Sequence, residues 1–225
     1  MQKDECLVEL IDVHKSYALT EVLKGVNLTV KQGDFVSIRG KSGVGKTSLF
    51  KIMSLLDSPN RGTVNVFGKD ASKLNDDQKT DLRLKQMGLV FQFFNLLPSL
   101  TVLENIELPM ALVGTKKRQR QERANELLKF FDITKLAERY PENLSGGEKQ
   151  RVAIIRALAN YPAILLADEP ASSLDDENSA LLIELLSRIR KEQKVAVLLT
   201  STDLYEKLPT TRDYMLKEGQ IRQIA

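Results

Sequence analysis

The stretch VSIRGKSGVGKTSLF, residues 36–50, is the strongest indication of the fold. It begins as an apolar strand, continues through glycines and small polar residues, and ends in residues that favour a helix. Its segment 40–47 matches G-x-x-x-x-G-K-[ST] at every fixed position, a pattern typical of a loop that wraps a phosphate. Side chains would keep an anion away from the backbone N–H groups, which explains Gly40, Gly43 and Gly45. The flanking strand and helix favour a phosphate-binding loop over a Gly-rich turn that matches by accident.

The residues that close this loop supply a charge and a metal ligand. Lys46 offers a positive charge to the β- and γ-phosphates of a nucleotide, and the Thr47 hydroxyl can bind Mg²⁺. The positive end of the following helix faces the same anion. We expect nucleotide contacts along the whole loop, from Gly40, Lys41, Ser42, Gly43, Val44, Gly45, Lys46, Thr47 and Ser48.

A second apolar strand, in the segment AILLADEP at 163–170, ends in two acids. Asp168 suits Mg²⁺ through water, because a carboxylate at the end of a buried strand needs a cation or another partner. Glu169 points the other way on the strand end, where it could polarise an attacking water molecule. The alternative, that the acids only cap the turn at Pro170, is disfavoured by the phosphate-binding loop.

The remaining patterns indicate an α/β fold. Continuous apolar runs at 87–92 and 196–200 are typical of strands in a parallel sheet that is covered on both faces. Residues 26–40 are predicted to form a hairpin that turns at Gly33. Residues 99–160 are mostly helical in pattern, and the block between 93 and 160 is predicted to be a helical insertion into the sheet domain.

The amino-acid composition limits the classes of function that the protein can have. The chain has 225 residues, 42% of them hydrophobic and 28% charged, as in an ordinary globular protein. A net charge of +3 does not favour a nucleic-acid partner, and the basic run at 116–123 has no interleaved aromatic residues, which favours a solvated helix face or loop. The single cysteine, Cys6, excludes an internal disulfide and suits a reducing compartment. No apolar stretch is long enough for a membrane span, so any membrane role would act through another chain.

The stretch NLSGGEKQRVAIIRAL, residues 143–158, resembles the signature sequence of ABC ATPases, the nucleotide-binding subunits of ABC transporters. It lies between Gln92 and LLADEP, in the order and at the spacing of that family, and the resemblance covers essentially the whole chain. Two stretches are most similar to the subgroup that serves lipoprotein release, macrolide export and related exporters: VFQFFNLLPSLTVLENIELPM, residues 90–110, and LSGGEKQRVAIIRALA, residues 144–159.

The resemblance implies the P-loop NTPase fold. Its RecA-like parallel sheet core would carry an N-terminal antiparallel β subdomain and an inserted α-helical subdomain. The whole chain, 1–225, would then be a single ABC ATPase domain. Residues 1–92 and 161–225 would form the core with the β subdomain, and residues 93–160 the helical signature subdomain.

The resemblance also implies a homodimer that sandwiches two ATP molecules head to tail. Gln92 corresponds to a glutamine that touches Mg²⁺ and the attacking water, so the expected metal ligands are Thr47, Gln92 and Asp168. The signature contacts the γ-phosphate held by the opposite subunit, and SSLD at 172–175 lies across the dimer seam. The nucleotide contacts added in this way are Tyr17, which would stack on adenine, Ser145, Gly146, Gly147 and Asp175. For Tyr17 the alternative is a ring that only covers the sheet edge.

The family pattern also assigns a role to the apolar residues that follow Gln92. Phe93, Phe94, Leu96 and Leu97 lie on a predicted loop, in the region that receives a coupling helix of the membrane subunit in this family. Packing inside the helical insertion is expected to account for two of the four.

The family pattern after the last strand is Thr-His-Asp, and here the histidine is missing. With the acid at Asp203, Thr202 stands in its place, and the alternative register puts Ser201 there. A threonine hydroxyl can donate one hydrogen bond but is shorter and never cationic. The resemblance therefore implies that Glu169, Gln92 and Thr202 are the catalytic residues. We expect ordinary ATP affinity but slow turnover by the isolated protein.

The leading hypothesis is an ATPase subunit, peripheral on the inner face of the cell membrane, that drives a separate transmembrane subunit. The alternative is an ATP-gated regulatory or binding module with little hydrolysis, which the missing histidine favours and the intact Glu169 opposes. A soluble ABC protein of DNA repair or translation is disfavoured, because the chain lacks their large insertions and paired cassettes.

Overall fold

The structure is a computed structural model and describes residues 5–204 and 208–224. Its strands form a six-stranded sheet and a four-stranded sheet. The strands are β1 Cys6–Tyr17, β2 Thr20–Lys31, β3 Phe35–Arg39, β4 Arg61–Val66, β5 Lys69–Asp70, β6 Met87–Val90, β7 Ile164–Ala167, β8 Ala196–Ser201, β9 Arg212–Lys217 and β10 Gln220–Gln223. The helices are α1 Lys46–Met53, α2 Asp76–Gln86, α3 Val102–Leu112, α4 Lys117–Phe130, α5 Gly146–Leu158 and α6 Asp176–Gln193.

The six-stranded sheet has the order β10-β9-β3-β8-β7-β6. All its neighbouring strands pair in parallel except β10, which pairs antiparallel with β9 at one edge. Every residue of β3 and β7 is buried, because the sheet is covered on both faces. The predicted α/β fold with a parallel core is confirmed.

The second sheet is antiparallel, with the order β2-β1-β4-β5, and is the predicted N-terminal β unit. The predicted hairpin across Gly33 is wrong, because β2 and β3 belong to different sheets. β2 alternates between buried and exposed residues, whereas β3 is buried throughout. A strand that is buried on both faces fits only the interior of a covered sheet, and β3 accordingly pairs with β8 and β9.

The helical insertion follows β6 and precedes β7. Helices α3, α4 and α5 pack together, and their buried apolar side chains join one core with β7 and β8. Strand β6 ends at Val90, two residues before Gln92, so the predicted strand 87–92 was too long. Helix α2, at residues 76–86, was not predicted. The division of the chain at residues 92 and 161 stays a prediction.

The basic run lies in α4 and is largely paired with acids. Arg118 Nε is 2.8 Å from Glu122 Oε1, and Arg123 Nη1 is 2.9 Å from Glu126 Oε2. This confirms the predicted helix face. Among residues 5–204 and 208–224, no helix has both the length and the apolar character needed to cross a membrane.

Candidate functional site

The candidate site lies at the carboxyl ends of three neighbouring strands, β3, β8 and β7. The phosphate loop, residues 40–47, follows β3, and the two acids follow β7. Residues 201–203, named here the β8 tip, are the last residue of β8 and the two residues after it. The backbone N–H of Gly40 donates to the carbonyl of Ser201 at 3.1 Å, which joins the loop to this tip. Ligands of open α/β sheets bind at this edge, so the predicted loop and acids are brought together where chemistry is expected.

The ammonium group of Lys46 is buried inside the phosphate loop, with 3% of the residue exposed. Its Nζ donates to the carbonyls of Gly40 at 2.8 Å and Lys41 at 3.0 Å. It also pairs with Glu169 Oε1 at 3.0 Å, a contact that the sequence did not reveal. The carboxylate expected to activate water is therefore held by the lysine expected to bind phosphate.

The glycines of the loop are needed for different reasons. A Cβ at Gly43 would meet no atom of the described residues within 4 Å, and the φ of +78° at this position favours glycine. A Cβ at Gly40 would lie 2.7 Å from the carbonyl oxygen of Leu216, and one at Gly45 would lie 2.7 Å from Val22 Cγ1. Backbone conformation therefore accounts for Gly43, close packing against the protein itself accounts for Gly40, and both apply to Gly45, whose φ is +110°.

The first turn of α1 has no side-chain cap. Gly45 is its N-cap residue, with φ of 110°, and no side-chain cap hydrogen bond to the first N–H groups is found among the residues that the structure describes. Those donors have no partner within the helix itself and are suited to an anion. Thr47 is exposed at this end and Ser48 is half-buried.

One hydroxyl organises both acids after β7. Thr200 is fully buried, and its Oγ1 donates to Asp168 Oδ1 at 2.7 Å and accepts the backbone N–H of Glu169 at 2.9 Å. This role of Thr200 was not predicted from the sequence. The available signal was a hydroxyl residue at the end of a buried strand that neighbours the strand carrying both acids.

The oxygen donors of the predicted metal site fit Mg²⁺. Asp168 is 6% exposed, and no ion pair reaches it within the described part of the chain. A buried carboxylate without a cation is costly, so its charge suits a divalent ion. No cluster of three His, Cys, Asp or Glu residues is found in the described ranges, and Mg²⁺ needs none, since substrate phosphates complete its coordination.

The β8 tip shares a cleft with Glu169. Thr202 is exposed and lines a cavity of about 390 Å³ together with Glu169, Ser172 and Ser201. Within the tip, the backbone N–H of Asp203 donates to Ser201 Oγ at 3.1 Å. The structure therefore places Thr202 on the same side as the proposed base, and its catalytic role stays a prediction.

The signature residues Ser145, Gly146 and Gly147 form the N-terminus of α5. Ser145 Oγ accepts the N–H of Glu148 at 3.3 Å, and Glu148 Oε2 accepts the N–H of Ser145 at 2.8 Å, a complete capping box. The bond from the Ser145 N–H lowers the pKa of Glu148. Ser145 and Gly146 are exposed, while a Cβ at Gly147 would lie 2.7 Å from Asn178 Oδ1 of α6.

Asp175 caps the N-terminus of α6. Its Oδ1 accepts the N–H of Asn178 at 2.8 Å, and this bond lowers the pKa of Asp175. The signature and the 172–175 segment thus meet at Asn178. Whether Asp175 contacts a second subunit stays a prediction.

Tyr17 is the last residue of β1, and 44% of it is exposed. Its hydroxyl donates to Asp57 Oδ2 at 2.8 Å, and Lys15 Nζ lies 5.0 Å from the ring centroid. Burial alone would raise the pKa of Asp57, but hydrogen bonds from Lys15 and Tyr17 outweigh it and lower that pKa. The ring is thus held in place and half exposed, and adenine stacking stays a prediction.

The loop after Gln92, residues 93–100, exposes some of its apolar residues. Gln92 is exposed, as are Phe93 at 76% and Leu97 at 42%, whereas Phe94 and Leu96 are half-buried. Two of the four therefore pack against the protein, as expected from the sequence.

Two residues that were not predicted from the sequence hold this loop. Arg156 donates to the carbonyls of Phe94 at 3.0 Å and Asn95 at 2.6 Å, and burial lowers its pKa. Asn105, fully buried, accepts the N–H of Leu97 at 2.8 Å and donates to its carbonyl at 3.1 Å. The sequence offered only one sign of these two roles, namely that each polar residue lies on the apolar face of a predicted helix.

The family model described as ABC transporter matches residues 23–172. The chain belongs to the ABC transporter family. The lipoprotein-releasing system ATP-binding protein LolD of Bacteroides thetaiotaomicron is 41% identical over 218 residues, covering 96% of this chain and 100% of that protein. The macrolide export ATP-binding/permease protein MacB of Chlorobium phaeobacteroides is 41% identical over 198 residues, which are 86% of this chain and 30% of that protein.

Solved structures agree with this assignment. The ATP-binding cassette MJ0796, in a dimeric post-hydrolysis state bound to ADP and Pi, superposes with a TM-score of 0.88 at 39% identity. The match covers 97% of this chain and 98% of that one. The corresponding relative from Methanocaldococcus jannaschii is an uncharacterized ABC transporter ATP-binding protein. The present chain is therefore an ABC ATPase of the lipoprotein-release and macrolide-export subgroup, with the P-loop NTPase fold, and it binds nucleotide.

Proposed function

We propose that this ABC ATPase is the ATP-binding subunit of a transporter, and that it closes as a homodimer around two ATP molecules. The observation that carries the proposal is the arrangement of its two phosphate-binding helix ends. The α1 end is enclosed by the loop around Lys46, whereas the α5 end is exposed at Ser145 and Gly146 and packs on α6. An exposed signature can reach a nucleotide that a second subunit holds, and the dimeric cassette relative supports this arrangement.

Phosphate binding and base activation are linked through Lys46. Its ammonium is shared between loop carbonyls and Glu169. The β- and γ-phosphates compete with Glu169 for this charge, because a phosphate is a strong charge-assisted acceptor. Glu169 is then released to take a proton from water, which attacks the γ-phosphorus while ADP leaves.

Mg²⁺ would be held by Asp168, Thr47 and Gln92 and would neutralise charge on the β- and γ-phosphate oxygens. Thr200 keeps the Asp168 carboxylate oriented through its 2.7 Å hydrogen bond. Thr202 offers one neutral donor toward the γ-phosphate from the β8 tip. Turnover by the isolated protein is slow, because this donor carries no positive charge.

The neutral Thr202 also favours a second candidate, an ATP-gated module that dimerises with little hydrolysis. It is the weaker candidate, because Glu169 and its ion pair with Lys46 are intact. The two candidates share the sandwich dimer and differ only in turnover.

The dimer is tested with Glu169→Gln. This change keeps nucleotide binding but removes the carboxylate that activates water, so the dimer should accumulate with ATP and Mg²⁺. Light scattering at low salt should give a dimer with ATP and a monomer with ADP. A monomer at saturating ATP would contradict the sandwich for the isolated chain.

The transmembrane partner is proposed to dock beside Gln92 and so to hold the ATPase at the inner face of the cell membrane. An apolar groove of about 520 Å³, whose lining includes Leu56, Leu89 and Leu112, contains Arg156, which also holds the loop at Phe94. Arg156 thus connects the loop to the groove. The MacB relative, named an ATP-binding/permease protein, joins both functions in one chain, which supports a permease partner here.

Phe93→Asp tests this surface. A charge at this exposed position should release the protein from membrane fractions and leave ATP binding unchanged. Leu19→Asp, at a fully exposed apolar residue in the β1–β2 turn, is the matched control. Equal release by both variants, or none by either, would contradict docking at Phe93.

A further inference from the structure

Gln150 is a buried amide in the signature helix α5, with 1% of the residue exposed. Its Nε2 donates to the carbonyl oxygen of Pro170 at 2.8 Å. Its Oε1 is also buried and has no hydrogen-bond partner among the residues that the structure describes. An unsatisfied buried oxygen costs stability, so an apolar residue would suit this position better if packing alone mattered.

The bond to Pro170 acts next to a strained residue. Glu169 has φ of +47°, which is uncommon for a residue other than glycine and persists only when neighbours hold it. Its N–H donates to Thr200 Oγ1 at 2.9 Å, and its carbonyl accepts the N–H of Ser172 at 3.2 Å and Ser172 Oγ at 2.9 Å. Gln150 holds the next carbonyl along the chain, so Glu169 is fixed between β8 and α5.

The N-terminus of α5 belongs to the same packed unit. A Cβ at Gly147 would come within 2.7 Å of Asn178 Oδ1, and Asn178 in turn bonds to both carboxylate oxygens of Asp175. Gln150 lies one helical turn beyond Gly147. The signature, the 172–175 segment and the peptide after Glu169 are therefore joined through short contacts.

We propose that Gln150 is a positioning residue that holds Glu169 of its own subunit in place from the signature helix. The inference rests on the proposed function, in which α5 binds the nucleotide of the opposite subunit. When α5 closes on the nucleotide of the opposite subunit, Gln150 then positions Glu169, the base that acts on the nucleotide of its own subunit. Each subunit thus links the two ATP sites through one buried amide.

Gln150→Met keeps the length and volume of the side chain and removes the donor. Loss of one hydrogen bond between neutral groups should lower kcat about 3- to 10-fold, with the ATP concentration for half-maximal dimerisation unchanged. Asn160→Leu is the matched control, because its amide also donates to backbone carbonyls, of Leu84 and Pro109, near the far end of α5. An equal loss of kcat in both variants would overturn the proposal.

Mixed dimers show whether Gln150 acts on Glu169 of its own subunit or on that of the partner subunit. In one dimer a single chain carries Gln150→Met and Glu169→Gln and its partner is wild type, so the working Glu169 keeps its own Gln150. In the other, one chain carries each substitution, so the working Glu169 lies in the chain that has lost the amide. We expect the first to match a reference dimer of Glu169→Gln with wild type, and the second to be about 3- to 10-fold slower. Equal rates, or slowing of the first alone, would overturn the proposal.

Amide hydrogen exchange needs no ATP turnover, so it tests the role of Gln150 independently of the proposed function. If wild-type protein neither dimerises nor hydrolyses ATP, the proposed function fails. Amide hydrogen exchange of the nucleotide-free protein still tests the bond to Pro170. Gln150→Met should speed exchange at Ser172 and Leu174, whose N–H groups bond to the carbonyls of Glu169 and Ala171. Unchanged exchange at both would overturn the inference by itself.

Discussion

The helices α1 and α5 both begin where a phosphate is expected, yet their N-termini are built differently. Helix α1 starts at Gly45 without a side-chain cap and carries the buried Lys46 ammonium. Helix α5 starts with the capping box of Ser145 and Glu148, which places a carboxylate at its first turn. The first end is prepared for an anion within its own chain. The second is stable without a ligand and exposed, as suits a surface that meets the nucleotide only across an interface.

The largest expected effect comes from the β8 tip, on the α1 side of the nucleotide. Thr202→His should raise turnover about 10- to 100-fold, because one donor to transition-state charge is typically worth about 10²–10³ in rate and Thr202 recovers part of it. ATP affinity should change little. Steady-state kinetics of both proteins provide the measurement.

Ser201→His is the matched control for that change, since it tests the alternative register. If Ser201→His gains turnover and Thr202→His does not, Ser201 occupies the histidine's position. If wild-type turnover already equals that of histidine-bearing relatives and neither variant gains, another group performs the histidine's role.

A smaller effect is expected at the α5 end. Glu148→Gln keeps an oxygen that can accept the Ser145 N–H but removes a negative charge near the incoming phosphate. Because the pKa of Glu148 is lowered, this charge is present throughout the neutral range. ATP-dependent dimerisation in the Glu169→Gln background should need about 2- to 5-fold less ATP at low salt, with the gain lost at high salt.

The matched control for this prediction is Glu104→Gln. It removes the same charge from the same kind of capping box, formed with Thr101 at the start of α3. Equal shifts in the two variants would mean that net charge, rather than the signature, sets the ATP requirement.

The two helix ends also differ in how far the sequence predicted them. The phosphate loop follows from local rules, because a fixed glycine pattern between a strand and a helix has few other uses. The signature needed the family resemblance, since two glycines after a serine are common at helix N-termini. In both cases the position along the chain was predicted, and the contacts around it were not.

Helix α2 is a local feature that was missed, but most of the other missed features depend on parts of the chain that are distant in sequence. The turn at Gly33 resembles a hairpin locally, and only the match between β3 and β8 shows that the chain changes sheets there. Thr200, Gln150 and the Lys46–Glu169 pair likewise gain their roles from residues on other elements. Sequence periodicity reports burial, but it does not report which buried polar groups meet.

The most direct test of two helix ends that meet across a dimer is to mix two damaged proteins and measure ATP turnover. Lys46→Ala removes the charge of the α1 end and should weaken ATP binding about 10- to 100-fold, the value of a charge-assisted hydrogen bond. Gly146→Asp places a negative charge at the α5 end. Within the described part of the chain, a Cβ there would meet only Leu174 Cδ2, at 4.0 Å, so the fold should tolerate it. Each protein alone should be nearly inactive. Their mixture should recover turnover, because a mixed dimer has one site with an intact loop from one chain and an intact signature from the other. A mixture no more active than the sum of its two components would contradict the account.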